Sequence, residues 1–167
     1  NIASVAANIT LDNIEALEVL KVKIQGISSE KLQLRGGRQT FNKQVLTVKK
    51  EALTNLASEL RTENLAALEK IFLKPGPFIQ SDNQRIRDQA REILKDKPDA
   101  PPLTRARMLL DWVHTHIKKR PVLSLPDALS TLENRVGDCN EHAVLLAALA
   151  RAAGIPARIE AGLVYLK

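Results

Sequence analysis

The residues best equipped for chemistry are crowded into one short stretch, Gly137-Asp138-Cys139-Asn140-Glu141-His142-Ala143. It holds the only cysteine of the chain and, three residues on, one of its three histidines. A thiolate is a strong nucleophile and a soft metal ligand, and an imidazole is its common companion in either role. Cysteine is also among the most readily buried residue types, so packing is the competing reading of the same thiol.

The histidines narrow the choice. His142 falls on the same helical side as Cys139, but two side chains on one turn leave little room for a substrate between them, and an exposed or packing histidine is the plainer reading. His114 and His116 flank Thr115 on opposite sides of a helix, which disfavours a shared metal. Cys139 with His142 is half a zinc site without a visible second half, so no metal and no cofactor is expected.

The elements around the thiol follow from local rules. Asp138 and Glu141 have capping-box spacing with Asp in the Ser/Thr place, so a helix is predicted to start at Cys139, with Gly137 turning the chain in front of it. That helix continues AVLLAALA, apolar on every side, the mark of a buried element. Arg151, Gly154 and Pro156 supply a last-turn cation, a C-cap and a stop. Ile159, Ala161, Leu163 and Tyr165 then alternate as a strand over Ala157 to Tyr165. A helix N-terminus presents free N–H groups that favour thiolate over thiol and can hold an oxyanion, while a nearby Asp138 carboxylate opposes the thiolate.

Upstream, Leu20 to Ile24, Leu32 to Leu34 and the segment through Val45 and Val48 alternate as strands, and apolar residues from Leu53 to Phe72 recur at helical intervals. Lys74-Pro75-Gly76-Pro77 cannot continue a helix and marks the expected domain boundary, giving residues 1–74 and 75–167. Beyond it, Ser81 or Asp82 is placed to cap a helix with Ile86, Ala90 and Ile93-Leu94 inward and an end before Pro98. Leu109, Trp112, Val113 and Ile117 mark a second helix closing on Lys118-Lys119-Arg120, and a short third one fits Pro126 to Leu132 with Asp127 in its first turn.

Composition bounds the function class. At 167 residues, 44% hydrophobic and 26% charged, the chain has the make-up of a soluble globular protein of one or two domains, and no apolar run reaches the roughly 20 residues of a membrane span. The net charge of +6 comes from 25 basic residues interspersed with 19 acidic ones, and only 3% of residues are aromatic, which together argue against nucleic acid as a partner. A lone cysteine forms no internal disulfide, so the redox compartment stays open, with an extracytoplasmic location leaned towards. The start at Asn-Ile-Ala shows no signal peptide and reads as a trimmed product.

The run DALSTLENRVGDCNEHAVLLAALARAAGIPARIEAGL, from Asp127 to Leu163, closely resembles the core of the bacterial transglutaminase-like superfamily, a branch of the papain-like cysteine enzymes. The resemblance rests on Gly137-Asp138-Cys139, Glu141-His142-Ala143, Leu146, Ala148-Leu149, Arg151-Ala152, Gly154-Ile155-Pro156-Ala157-Arg158 and Gly162. Weaker likeness extends upstream through Trp112 and Ile117 to Phe78-Ile79-Gln80-Ser81 and Leu73-Lys74-Pro75. Residues 1 to about 70 bear only a general likeness to the β-rich module that precedes such domains.

The resemblance implies an α+β fold, a β-rich N-terminal module with a helical tail followed by an incomplete papain-like domain. It implies a Cys-His-Asp enzyme that acts on protein or peptide amides through a thioester, resolved by water or by an amine. Only the nucleophile carries over, to Cys139. The family's His and Asp lie on later strands, so the chain is expected to stop before them at Lys167 and to be inactive alone, with an uncovered sheet edge through which it self-associates. A non-catalytic scaffold that binds a protein partner is the alternative.

Overall fold

A computed structural model describes residues 8–25, 34–51, 70–123 and 125–162. It is an α+β protein whose described residues fall in two compact units, 8–25 with 34–51 and 70–123 with 125–162.

The first unit is a small antiparallel sheet of β1 (Val19–Lys23), β2 (Gln39–Asn42) and β3 (Val45–Lys49), in the order β1-β3-β2. Register pairs Val22 with Leu46 and Phe41 with Leu46, so the apolar members of three strands meet at one position of the central strand. Lys43 and Gln44 join β2 to β3 with φ of 47° and 64°, the two left-handed residues of a tight hairpin turn. None of the described residues of this unit is buried. Residues 32–33 of the Leu32 to Leu34 strand expectation lie outside the described residues, as does nearly all of the helical spacing between Leu53 and Phe72.

The second unit holds the core. Among the described residues four helices build it: α1 (Gln84–Leu94), α2 (Pro102–His116), α3 (Ala128–Asn134) and α4 (Cys139–Ala152). The helix expected to be apolar on all sides, α4, packs against each of the other three. Leu145, Ala148 and Leu149 are wholly inaccessible and meet Ile86 and Ala90 of α1, Leu109 and Val113 of α2, and Ala128 and Leu132 of α3. Each buried leucine of this kind contributes about 2 kcal/mol, so the helix bearing Cys139 is anchored from Glu141 to Ala150.

Its C-terminus closes as expected. Gly154, at φ 74°, donates its N–H to Arg151 O at 3.0 Å, and Ile155 donates to Ala150 O at 2.8 Å, the paired bonds of a Schellman motif.

Four local expectations are corrected. The cap of α1 is Asn83, whose Oδ1 accepts the Arg85 N–H at 2.9 Å, because Ser81 is buried and its N–H is held by Ile79 O in the preceding turn. Asp127 precedes α3 as its cap instead of sitting in its first turn, with Oδ1 accepting the Ser130 N–H at 2.8 Å. The basic triplet does not close α2: Ile117 leaves helical geometry, and Lys118–Lys119 run on as β4, parallel to β5 (Val136–Gly137). Among the described residues, 157–162 form no strand of the expected Ala157 to Tyr165 element, and Ala157 N–H to Phe72 O is their one backbone bond in place of a ladder. Residues 163–167, and with them the expected sheet edge, lie outside the described residues.

Candidate active site

Cys139 is the first residue of α4 and is exposed. The turn that presents it is fixed by three separate contacts. The first is the predicted box: the Glu141 carboxylate, on a residue only 6% exposed, accepts the Asp138 N–H at 2.8 Å. Folding this side chain back over the turn requires the space that Gly137 leaves empty. A Cβ at 137 would lie 2.3 Å from Glu141 Cβ and 2.9 Å from its Cγ. Gly137 is therefore demanded by close approach, and its φ is not among the positive ones, so the expectation that it turns the chain is corrected.

The second contact is the β4–β5 ladder. Lys118 N–H donates to Arg135 O and Arg120 N–H to Gly137 O, both at 2.9 Å, which sets the strand leading to Cys139 beside the chain leaving α2. Arg135 makes this path possible. It closes α3 at φ 56°, an unusual value for a side-chain-bearing residue, and its guanidinium sits over the Trp112 ring at 4.6 Å while donating to Gln89 Oε1.

The third contact is His142. Its Nδ1 lies 2.7 Å from Asp138 O and its Nε2 3.3 Å from Ile117 O. A carbonyl only accepts, so both ring nitrogens face groups to which they can donate and neither presents a lone pair to the thiol. The His142 ring is half-buried and engaged with backbone, which removes it as a dyad base in this arrangement. His116 is stacked on Trp112 with ring centroids 4.7 Å apart, and His114 is exposed on the same helix. No group of three His, Cys, Asp or Glu side chains suited to a metal occurs among the described residues.

The Cys139 Sγ is 3.9 Å from Asn140 Oδ1, a weak contact that leaves it open to solvent. Helix geometry leaves the first-turn N–H groups of α4 without intrahelical acceptors; the capping box takes that of Glu141 on the Asp138 side chain, and those of Cys139 and Asn140 belong to the residue that bears the thiol and to its neighbour. An exposed sulfur beside unpaired N–H donors can attack a carbonyl and have the developing oxyanion received by those donors. A groove of about 450 Å³ lies between α1 and α2, lined by Gln89, Glu92, Ile93, Met108, Asp111 and Trp112, and no Cys, Ser, Thr or Lys lines it.

Two of these features escaped the sequence reading. The His142 bridge reaches a carbonyl 25 residues away, for which no local pattern exists. The Gly137–Glu141 contact has a signal in its i, i+4 spacing, a residue without a side chain one turn before a carboxylate that folds back over it.

Among the described residues no helix is long and apolar enough to cross a membrane. No curated protein and no solved structure matches the chain. The model of the Transglutaminase-like superfamily matches residues 87–167, a span that begins in α1 and includes the whole of the Cys139 turn. Residues 87–167, which include the buried helix opening on an exposed cysteine, are thus similar to the transglutaminase-like superfamily.

Proposed function

We propose that the chain carries the nucleophile of a cysteine enzyme acting on protein or peptide amides, and that Cys139 is that nucleophile. The observation that carries the reading is the exposure of the lone thiol at the first position of an anchored helix, within the segment that matches the transglutaminase-like superfamily. Packing is a poor account of a cysteine that faces solvent.

In the proposed reaction the Cys139 thiolate adds to the amide carbonyl carbon, and the oxyanion is received by first-turn N–H groups of α4. Collapse of the adduct forms a thioester and expels ammonia or an amine, which takes up a proton. Water then hydrolyses the thioester, or a second amine takes the acyl group. The base and acid for these proton transfers come from outside the described residues, since His142 is held by carbonyls and His114 and His116 lie on α2.

The test has two arms run on the 167-residue chain and on Cys139→Ser. The first is iodoacetamide labelling, and the second is ammonia release from glutamine peptides with and without an added primary amine. The reading expects labelling confined to Cys139 and no turnover by the chain alone. Absence of labelling in the folded chain would replace the enzyme reading with that of a scaffold. Turnover lost in His142→Ala would show that the ring leaves its carbonyls to act as base.

A further inference from the structure

We propose that His142 is a positioning residue, whose ring bridges the Asp138 and Ile117 carbonyls and so ties the turn carrying Cys139 to the chain leaving α2. The inference rests on the reading of Cys139 as nucleophile, and it assigns to the neighbouring histidine a task other than proton transfer to sulfur.

The two carbonyls belong to different elements. Asp138 is the residue before Cys139, and the ring contacts its oxygen at 2.7 Å while the His142 backbone N–H donates to the same oxygen at 3.1 Å. Ile117 is the C-cap of α2, 3% exposed, and its oxygen lies 3.3 Å from Nε2. A carbonyl at that depth needs a donor.

Three residues on from Ile117, the Arg120 N–H donates to Gly137 O. The approach to Cys139 is therefore pinned to the segment 117–120 in two ways, through backbone at Arg135 and Gly137 and through the imidazole at Asp138. The sulfur position depends on the second pin, because Asp138 and His142 bracket the first turn of α4. A turn free to fray would let the first-turn N–H groups of α4 rotate out of the helix direction.

The nitrogens also fix the chemistry of the ring. The shorter contact is the donating one, so Nδ1 carries a proton in the neutral ring, and a doubly protonated ring donates to both carbonyls. Either state holds Asp138, the doubly protonated ring completes the bridge to Ile117 O, and in neither does a ring nitrogen turn to Cys139 without leaving the carbonyl it faces.

The experiment compares the native chain with His142→Phe, which keeps a ring of similar size without nitrogens, and His142→Gln, whose amide N–H₂ can donate to the same carbonyls. Each is scored by the ratio of iodoacetamide labelling rates in the folded and unfolded states at one pH, below the unfolding transition of the least stable variant. Ring ¹⁵N shifts of the native chain are recorded in parallel.

Expected are a ratio above one in the native chain, a fall of twofold or more towards one in His142→Phe, recovery to within twofold of native in His142→Gln, and a ring proton on Nδ1. If His142→Phe does not fold, the Gln variant and the ring shifts decide. A ratio unchanged in His142→Phe, a neutral ring carrying its proton on Nε2 alone, or a Gln variant as impaired as Phe overturns the positioning role. A native ratio of one or less contradicts the functional reading instead, and the ring shifts then judge the bridge by itself.

Discussion

Gly137 and Glu141 occupy one space: the glutamate side chain lies where the first atom of any side chain at 137 would have to be, 2.3 Å from Glu141 Cβ. That overlap is what lets a buried carboxylate reach the Asp138 N–H and hold the turn in front of Cys139.

Gly137→Ala is therefore expected to destabilise the second unit by about 1–3 kcal/mol, since the clash is with atoms close to the helix backbone and cannot be relieved at a flexible tip. Chemical denaturation measures the loss. Glu141→Gly, which removes the Cβ that is struck, should cost less in the Gly137→Ala background than in the native chain, a coupling that two independent sites would not show.

Glu141→Gln and Glu141→Ala separate the hydrogen bond from the charge. The glutamine oxygen can still accept the Asp138 N–H, whereas alanine leaves that donor without its partner, so Ala is expected to cost about 1 kcal/mol more than Gln in thermal unfolding. Equal losses in the two variants would mean that the bond contributes nothing.

Asp127 makes the second unit acid-sensitive. Burial by itself would push its carboxyl up, but N–H donors of Ser130 and Leu129 and the Gln80 amide hold it below the ordinary carboxylate value. A depressed value in the fold gives stability that is present above the unfolded value, about 3.9, and lost as pH falls through the folded one. Asp127→Ala should cost about 1 kcal/mol at neutral pH through the lost helix cap and flatten the acid limb of a stability-against-pH curve below about pH 4. A variant with the native acid limb would remove Asp127 from the account.

The segment around Lys74, where the sequence places the expected domain boundary, carries bonds within the second unit. Arg151, its guanidinium pushed down by burial, donates to Lys74 O at 2.6 Å and to Ala157 O at 2.9 Å, and Ala128 N–H donates to Phe78 O. These bonds predict that chymotrypsin cuts slowly at Phe72 and Phe78 in the native chain and several-fold faster in Arg151→Ala. Rapid cutting there in the native chain would make the segment a loose linker.

How much of this was legible in the sequence depended on the range of the interaction. The start of α4 was readable from Asp138 and Glu141, and its end from Gly154 and Pro156, because capping rules span three or four residues. The burial of α4 was readable from its unbroken apolar run. Cap choice failed because Ser81 and Asp82 were the candidates read from the sequence, whereas Ser81 is drawn into the core and Asn83 is the residue whose side chain accepts the Arg85 N–H. The fate of Lys118–Lys119 and the His142 bridge were not readable, because both depend on Arg135 to Asp138 arriving beside the end of α2. Alternation in Ala157 to Tyr165 suggested a strand, yet alternation supplies no partner, and residues 157–162 have none in a ladder.

The central claim is that Cys139 is an activated nucleophile and not a packed thiol. Its most direct measurement is the iodoacetamide labelling rate of the folded chain against the same chain unfolded, at one pH. The account predicts that Cys139 labels about two- to fivefold faster when folded, the rate equivalent of about 0.3–1 kcal/mol from a helix N-terminus acting on an exposed thiolate. Labelling slower in the folded chain than in the unfolded one would contradict it and make Cys139 a structural residue.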